Sequence, residues 1–236
     1  MRIRTSRYKP FMKGAPPLDY RLYLFDFDYT LVNSEQGILG CFHRTIDAWH
    51  LPPVTDDTIR KTIGLPMEQA VEIITGIHDA ADIDRFIDDY RKDADIHMTT
   101  GTHFFPDTLP TLRALRKAGA RIGIISTKTR SRIEEKFVAD NCTDVIDLII
   151  GCEDVHAMKP SPEGIEQAIA RLGMEKADVL YTGDSLVDAG AAKNAGVAFA
   201  AVTTGTTPAS AFEEVPHVKI MKSLRELIAP AEGTTR

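Results

Sequence analysis

Residues 22–34 read Leu-Tyr-Leu-Phe-Asp-Phe-Asp-Tyr-Thr-Leu-Val-Asn-Ser, and the fold turns on them. Four apolar strand-formers run straight into Asp26 and Asp28, with Thr30 two positions on. Side chains alternate along a strand, so the two carboxylates share one face if the strand continues through them. A turn at that point would splay them around a common centre. A charged strand end or a cap for the next helix would account for a single Asp. Two convergent carboxylates can also hold a hard cation such as Mg2+, or divide the work of nucleophile and proton carrier.

Downstream of this stretch the apolar period becomes helical. A helix is predicted over 35–49, with Ser34 as N-cap and Ile38, Leu39, Phe42, Ile46 and Trp49 on one side, ended by Pro52 and Pro53. Further helices are predicted over 56–62, 67–76 and 80–97, separated by Gly64-Leu65-Pro66 and by Gly76. From Phe104 onward helix and strand alternate. A helix carrying Leu109, Leu112 and Leu115 leads to a strand over 121–125, followed by helix 130–140 and strand 146–150. Helix 162–172, strand 179–182, helix 187–195 and strand 198–202 complete the series.

With the first strand, this makes five strands in a Rossmann-like parallel sheet covered by helices on both faces, an α/β fold. Ligands of such sheets bind at the C-terminal ends of the strands. The first strand precedes the helical unit and its partners follow it, so the unit is an insertion. The expected organisation is an α/β core domain of residues 19–33 and 104–236 with an all-helical domain of residues 34–103 inserted into it. Residues 1–18 carry Arg2, Arg4, Arg7, Lys9 and Lys13 without an acidic residue, a basic arm that no signal-peptide apolar core follows.

With 28 basic and 34 acidic residues the net charge is -6, which argues against a general nucleic-acid surface and leaves room for a local positive pocket. Cys41, Cys142 and Cys152 form no Cys-X-X-Cys pair, so neither a disulfide framework nor a zinc site is expected, and a cytoplasmic setting is the default. No apolar run is long enough to span a membrane.

The remaining chemistry-bearing residues fall where strands end. Ser126 and Thr127 follow Gly123-Ile124-Ile125, where hydroxyls and free N–H groups can hold phosphate oxygens; capping of the next helix is a compatible role. Lys159 stands in Met158-Lys159-Pro160. Asp184 and Asp188, in Gly183-Asp184-Ser185-Leu186-Val187-Asp188, are spaced by one helical turn and would share a helix face.

In this order the motifs resemble those of the haloacid dehalogenase superfamily phosphatases, in particular the phosphoglycolate phosphatase-like branch with a helical cap. The resemblance implies Asp26 as the nucleophile that forms an aspartyl-phosphate, Asp28 as general acid and then base, and Thr30 as a brace for the loop. It further implies Ser126 and the Thr127 amide on phosphate, and Lys159 neutralising charge between Asp26 and a phosphoryl oxygen. Mg2+ would be held by Asp26, Asp184 and the Asp28 carbonyl, with Asp188 acting through water or Lys159. Arg60, Gly64 and Met67 surround the cap turn that in related enzymes reaches toward substrate. Two departures from the pattern are Tyr29, where Gly is usual, and Asn33, where Asp is common.

The implied activity is Mg2+-dependent phosphomonoester hydrolysis of a small phosphorylated metabolite, with phosphoglycolate leading, by a monomer or homodimer without nucleic-acid or membrane partners. A pyrophosphatase or a β-phosphoglucomutase-type mutase would use the same core. A haloacid dehalogenase has no need of Asp28. A receiver-type phospho-Asp switch would lack both the Asp26-X-Asp28 pair and the large insertion.

Overall fold

In the computed structural model, which describes residues 20–228, Leu22–Phe25 forms β1. All four of its side chains are buried, because β1 lies inside a sheet covered on both faces. After a loop come β2 (Val32–Asn33) and four helices: α1 (Glu35–Ala48), α2 (Asp56–Arg60), α3 (Met67–Thr75) and α4 (Ala80–His97). Next are β3 (His103–Phe104), α5 (Thr108–Lys117), β4 (Arg121–Ile125), α6 (Arg130–Ala139), β5 (Leu148–Ile150) and α7 (Glu163–Leu172). The chain continues through β6 (Val179–Gly183), α8 (Leu186–Ala195), β7 (Ala198–Val202), α9 (Ala209–Glu213) and β8 (Lys219–Met221). The basic arm of residues 1–18 lies outside the described residues.

The main sheet is parallel with strand order β5-β4-β1-β6-β7-β8. It has six strands rather than the five expected from sequence. The extra strand, β8, spans only three residues beside Pro216 and His217, too short to show an alternating pattern. The Val218 amide reaches the Phe199 carbonyl at 2.7 Å and the Thr203 amide the Met221 carbonyl at 2.8 Å, and this pairing with β7 defines it.

Alternation along β1 assigns the two layers. Tyr23 and Phe25 pack with Leu112 and Leu115 of α5 and Ile133 and Phe137 of α6 on one face. Leu22 and Leu24 pack with Ile165 of α7, the alanines of α8 and Phe212 of α9 on the other. The helical unit has an apolar cluster of its own, built on Phe42, Ile46, Ile59, Val71, Phe86 and Tyr90.

The antiparallel pair of β2 and β3 sets the two connections between core and helical unit side by side, with Asn33 opposite His103. Just beyond it the Gly37 amide donates to the Gly101 carbonyl at 3.1 Å. A Cβ at Gly101 would stand 2.6 Å from Gly37 backbone atoms, so this crossing requires glycine. Ser34 occupies the N-cap position of α1 as expected, but its hydroxyl is buried without a hydrogen bond and makes no cap, and the Asn33 side chain accepts from the Glu35 amide at 3.0 Å.

Candidate active site

The strand termini build the site. Beyond β1 the Asp26 amide donates to the Thr182 carbonyl at 2.9 Å, which keeps Asp26 in register with β6 and 4 % exposed. The Ser126 amide likewise reaches the Ile150 carbonyl at 3.0 Å. Asp26, Ser126 and Asp184 therefore emerge together at the C-terminal ends of β1, β4 and β6, where ligands of parallel sheets gather.

Lys159 reaches into this group from the segment before α7. Its Nζ stands 2.8 Å from Asp26 Oδ1 and 2.6 Å from Asp188 Oδ1, with the ammonium buried. Burial alone would lower the Lys159 pKa, but the Asp188 and Asp26 charges outweigh it and hold the group well above its usual value. The Asp26 contact is close but poorly directed, so Oδ1 has no hydrogen-bond partner even though it belongs to an ion pair.

Asp188 is fully occupied. Oδ1 receives Lys159 and lies 3.0 Å from the Tyr181 hydroxyl, while Oδ2 accepts from the Ser185 amide at 3.1 Å and its hydroxyl at 2.6 Å. Ser185 caps α8 and Asp188 sits in its first turn, so Asp184 precedes the helix. The shared helix face expected for Asp184 and Asp188 is thus replaced by a capping box, and the two carboxylates approach by way of the turn. Tyr181 was not singled out from sequence. A tyrosine inside a buried strand was the available signal, since buried tyrosine hydroxyls seek a partner.

Asp26, Asp184 and Asp188 each offer a carboxylate oxygen within 4.8 Å of the others. Burial, opposed by Lys159 and reinforced by Asp188 and Asp28, pushes the Asp26 pKa up to about 7. Burial and the Asp188 and Asp26 charges raise Asp184 as well. These groups fit a hard divalent cation: carboxylate oxygen donors close together, excess negative charge over the single Lys159, and an Asp26 oxygen with no hydrogen bond to satisfy it. Asp184 keeps Oδ1 on the Thr30 hydroxyl at 3.1 Å and rests Oδ2 against Gly205, where any Cβ would overlap it. Thr30 thus braces Asp184, a more definite role than general support of the loop.

Asp28 points elsewhere. Both its oxygens stand 3.1 Å from Lys128 Nζ, and the pair is largely buried. Nothing local in the sequence distinguishes Lys128, two residues after Ser126, from a solvated lysine. Ser126 Oγ accepts from the Lys128 amide at 3.2 Å rather than capping α6, whose N-cap is Thr129.

The helical unit meets this edge of the sheet. Thr127 Oγ1 donates to the Gly64 carbonyl at 3.2 Å, and Arg132 of α6 pairs with Asp95 of α4. Of the three residues suggested for selectivity, Gly64 thus touches the core. Arg60 is tied to Glu35 at 2.7 Å, and Met67 packs partly buried on the helical cluster.

An open parallel sheet with an acidic, lysine-balanced centre at its C-terminal edge, next to a unit of four helices, is suited to phosphoryl-transfer chemistry. The chain belongs to the haloacid dehalogenase-like hydrolase family, whose pattern matches residues 23–202, and is an enzyme of that family. It is similar to pyrophosphatase PpaX of Bacillus cereus, 27% identical over 180 residues that cover 76% of this chain and 82% of that protein. Among solved structures, a haloacid dehalogenase-like hydrolase from Bacteroides fragilis is 49% identical, with TM-score 0.85, covering 89% of this chain and 100% of the other. A protein assigned as a phosphoglycolate phosphatase from Lactobacillus plantarum shares the fold at TM-score 0.79 and 22% identity, over 89% and 99% of the two chains.

Proposed function

We propose that the protein hydrolyses phosphate esters of small metabolites, with Mg2+, through a covalent phosphoryl group on Asp26. The observation that carries this is the buried Asp26 carboxylate at a strand end, ion-paired with Lys159 at 2.8 Å and grouped with the Asp184 and Asp188 carboxylates within 4.8 Å. An Asp26 oxygen attacks phosphorus, the bond from phosphorus to the leaving oxygen breaks, and Asp28 delivers the proton that oxygen takes. Water then adds to phosphorus and gives its proton to Asp28, and the bond between phosphorus and Asp26 breaks to release phosphate. Lys159 offsets the charge between carboxylate and phosphoryl oxygens, while the Ser126 hydroxyl and the Thr127 amide hold the remaining oxygens. Mg2+, held by Asp26, Asp184 and the Asp28 carbonyl, would supply Lewis-acid neutralisation of the transferring group.

In this reading the helices of residues 34–103 are a cap over the core of residues 19–33 and 104–236. The contact of Thr127 with Gly64 supports that placement, and a cap favours small substrates by excluding water and bulk. The test is phosphate release from phosphoglycolate, sugar phosphates, nucleotides and pyrophosphate, with Mg2+ or EDTA. Turnover is expected to require Mg2+, and Asp28→Asn to lose at least about 100-fold in kcat, the usual scale of acid–base help. Turnover persisting in EDTA, or undiminished by that substitution, would defeat the mechanism.

A second reading, pyrophosphate as substrate, is favoured by Lys128. Its ammonium lies against the carboxylate that serves the leaving oxygen, so it is placed for a leaving group bearing its own anion. Both a second phosphate and a glycolate carboxylate qualify. Lys128→Met is expected to cut kcat/KM for pyrophosphate and phosphoglycolate by about 10- to 100-fold, a charge-assisted contact's worth, while a phosphoester of a neutral alcohol loses much less. Equal losses on all substrates would remove Lys128 from selectivity.

A further inference from the structure

Tyr29 directly follows Asp28, and the structure gives it more to do than fill space. Its backbone is left-handed, with φ 58°, and its side chain is 5 % exposed. Three bonds hold it there. Its amide donates to the Val32 carbonyl at 2.8 Å, and its carbonyl accepts from the Thr204 hydroxyl. Its own hydroxyl donates to Glu35 Oε2 at 2.9 Å.

Glu35 is the first residue of α1 and passes the connection on: Oε1 accepts from Arg60 Nη2 at 2.7 Å, at the last residue of α2. A continuous chain of donor, carboxylate and guanidinium thus runs from the loop bearing Asp26 and Asp28 to the cap helix that leads into the turn at Gly64. That turn touches Thr127. A glycine at position 29 would have no side chain with which to make this link, and a bulky residue tolerates a left-handed backbone only where its surroundings hold it.

We propose that Tyr29 is a positioning residue, coupling the reacting loop to the cap through Glu35 and Arg60 so that the turn at Gly64 is held over the phosphate-binding edge. The proposal rests on Asp26 and Asp28 as the reacting pair. Tyr29 acts on substrate through the population of the assembled state: when that state is less populated, the apparent affinity falls in proportion while the chemical step is unchanged.

The experiment compares wild type, Tyr29→Phe, Glu35→Gln and the double variant, with Mg2+ and the best substrate of the phosphate-release panel. KM is expected to rise by about 5- to 20-fold in each single variant with kcat within about threefold, the scale of one hydrogen bond to a charged group. The double variant should be no worse than the weaker single, as members of one chain are non-additive. Amide hydrogen exchange over residues 56–66, followed without substrate, is expected to quicken in Tyr29→Phe while the melting temperature of the core is kept. Unchanged KM and unchanged exchange would overturn the proposal, as would additive losses confined to kcat. If wild type releases no phosphate from any compound, the catalytic reading fails by itself, and the exchange comparison still decides whether Tyr29 couples loop and cap.

Discussion

Lys159→Met is expected to be the most disruptive single substitution in the protein, lowering stability by about 3–5 kcal/mol in the absence of Mg2+ and kcat by about 1000-fold or more. Lys159 is the cation in contact with Asp26 and Asp188, which are 4 % and 0 % exposed. Removing it leaves two carboxylates facing each other away from water, and an unpaired buried charge costs more than the intact pair contributes. For a chain of this size a loss of that order lowers the melting temperature by roughly 10 °C. Two further results would identify charge as the cause. Mg2+ should restore part of the stability, and adding Asp26→Asn should recover stability but not activity, because the two sites share one interaction. A Lys159→Met protein melting within about 2 °C of wild type would mean that the ion pair contributes little.

Asp26→Asn is expected to abolish phosphate release by at least about 1000-fold, the loss typical of a removed nucleophile, and yet to stabilise the metal-free protein at alkaline pH. The sign follows from the Asp26 pKa, pushed up from 3.8 to about 7, chiefly by burial. In the folded state the carboxyl keeps its proton up to about pH 7, whereas the unfolded chain releases it near pH 4. Between those limits the folded protein binds more protons, so stability falls as pH rises and levels off above the folded pKa. The effect is of the order of a few kcal/mol. Asparagine carries no such dependence. Melting curves of wild type and Asp26→Asn from pH 4 to 9, with EDTA and with Mg2+, check this: the difference should grow toward pH 8 in EDTA and shrink or reverse in Mg2+, which favours the ionised carboxylate. Parallel curves in EDTA would show that Asp26 is not destabilised by burial.

Both effects arise where the chain breaks its own local rules. Buried Asp and Lys are tolerated here because they are paired and because charge is what the site needs, which is how functional centres depart from folding optima.

The amino-acid sequence by itself determined the parallel α/β core, the helical insertion and the order of the charged residues at strand ends. Period-two and period-3.6 patterns are local, and the residues that end strands are adjacent to them in the chain. Asp26, Asp28, Ser126 and Asp184 were legible for that reason, whereas Lys159, in the segment before α7, was legible by its order among the motifs. Strand β8 was not, since a three-residue edge strand has no period to read and is specified by its pairing with β7. Tertiary structure alone decided who faces whom: Lys128 on Asp28, Tyr181 and Lys159 on Asp188, Tyr29 on Glu35, and Thr127 on Gly64. The members of the first pair lie 100 residues apart. No local propensity encodes such a meeting; it follows from the register of β1, β4 and β6 and from where the insertion is hinged, which only the packed chain fixes.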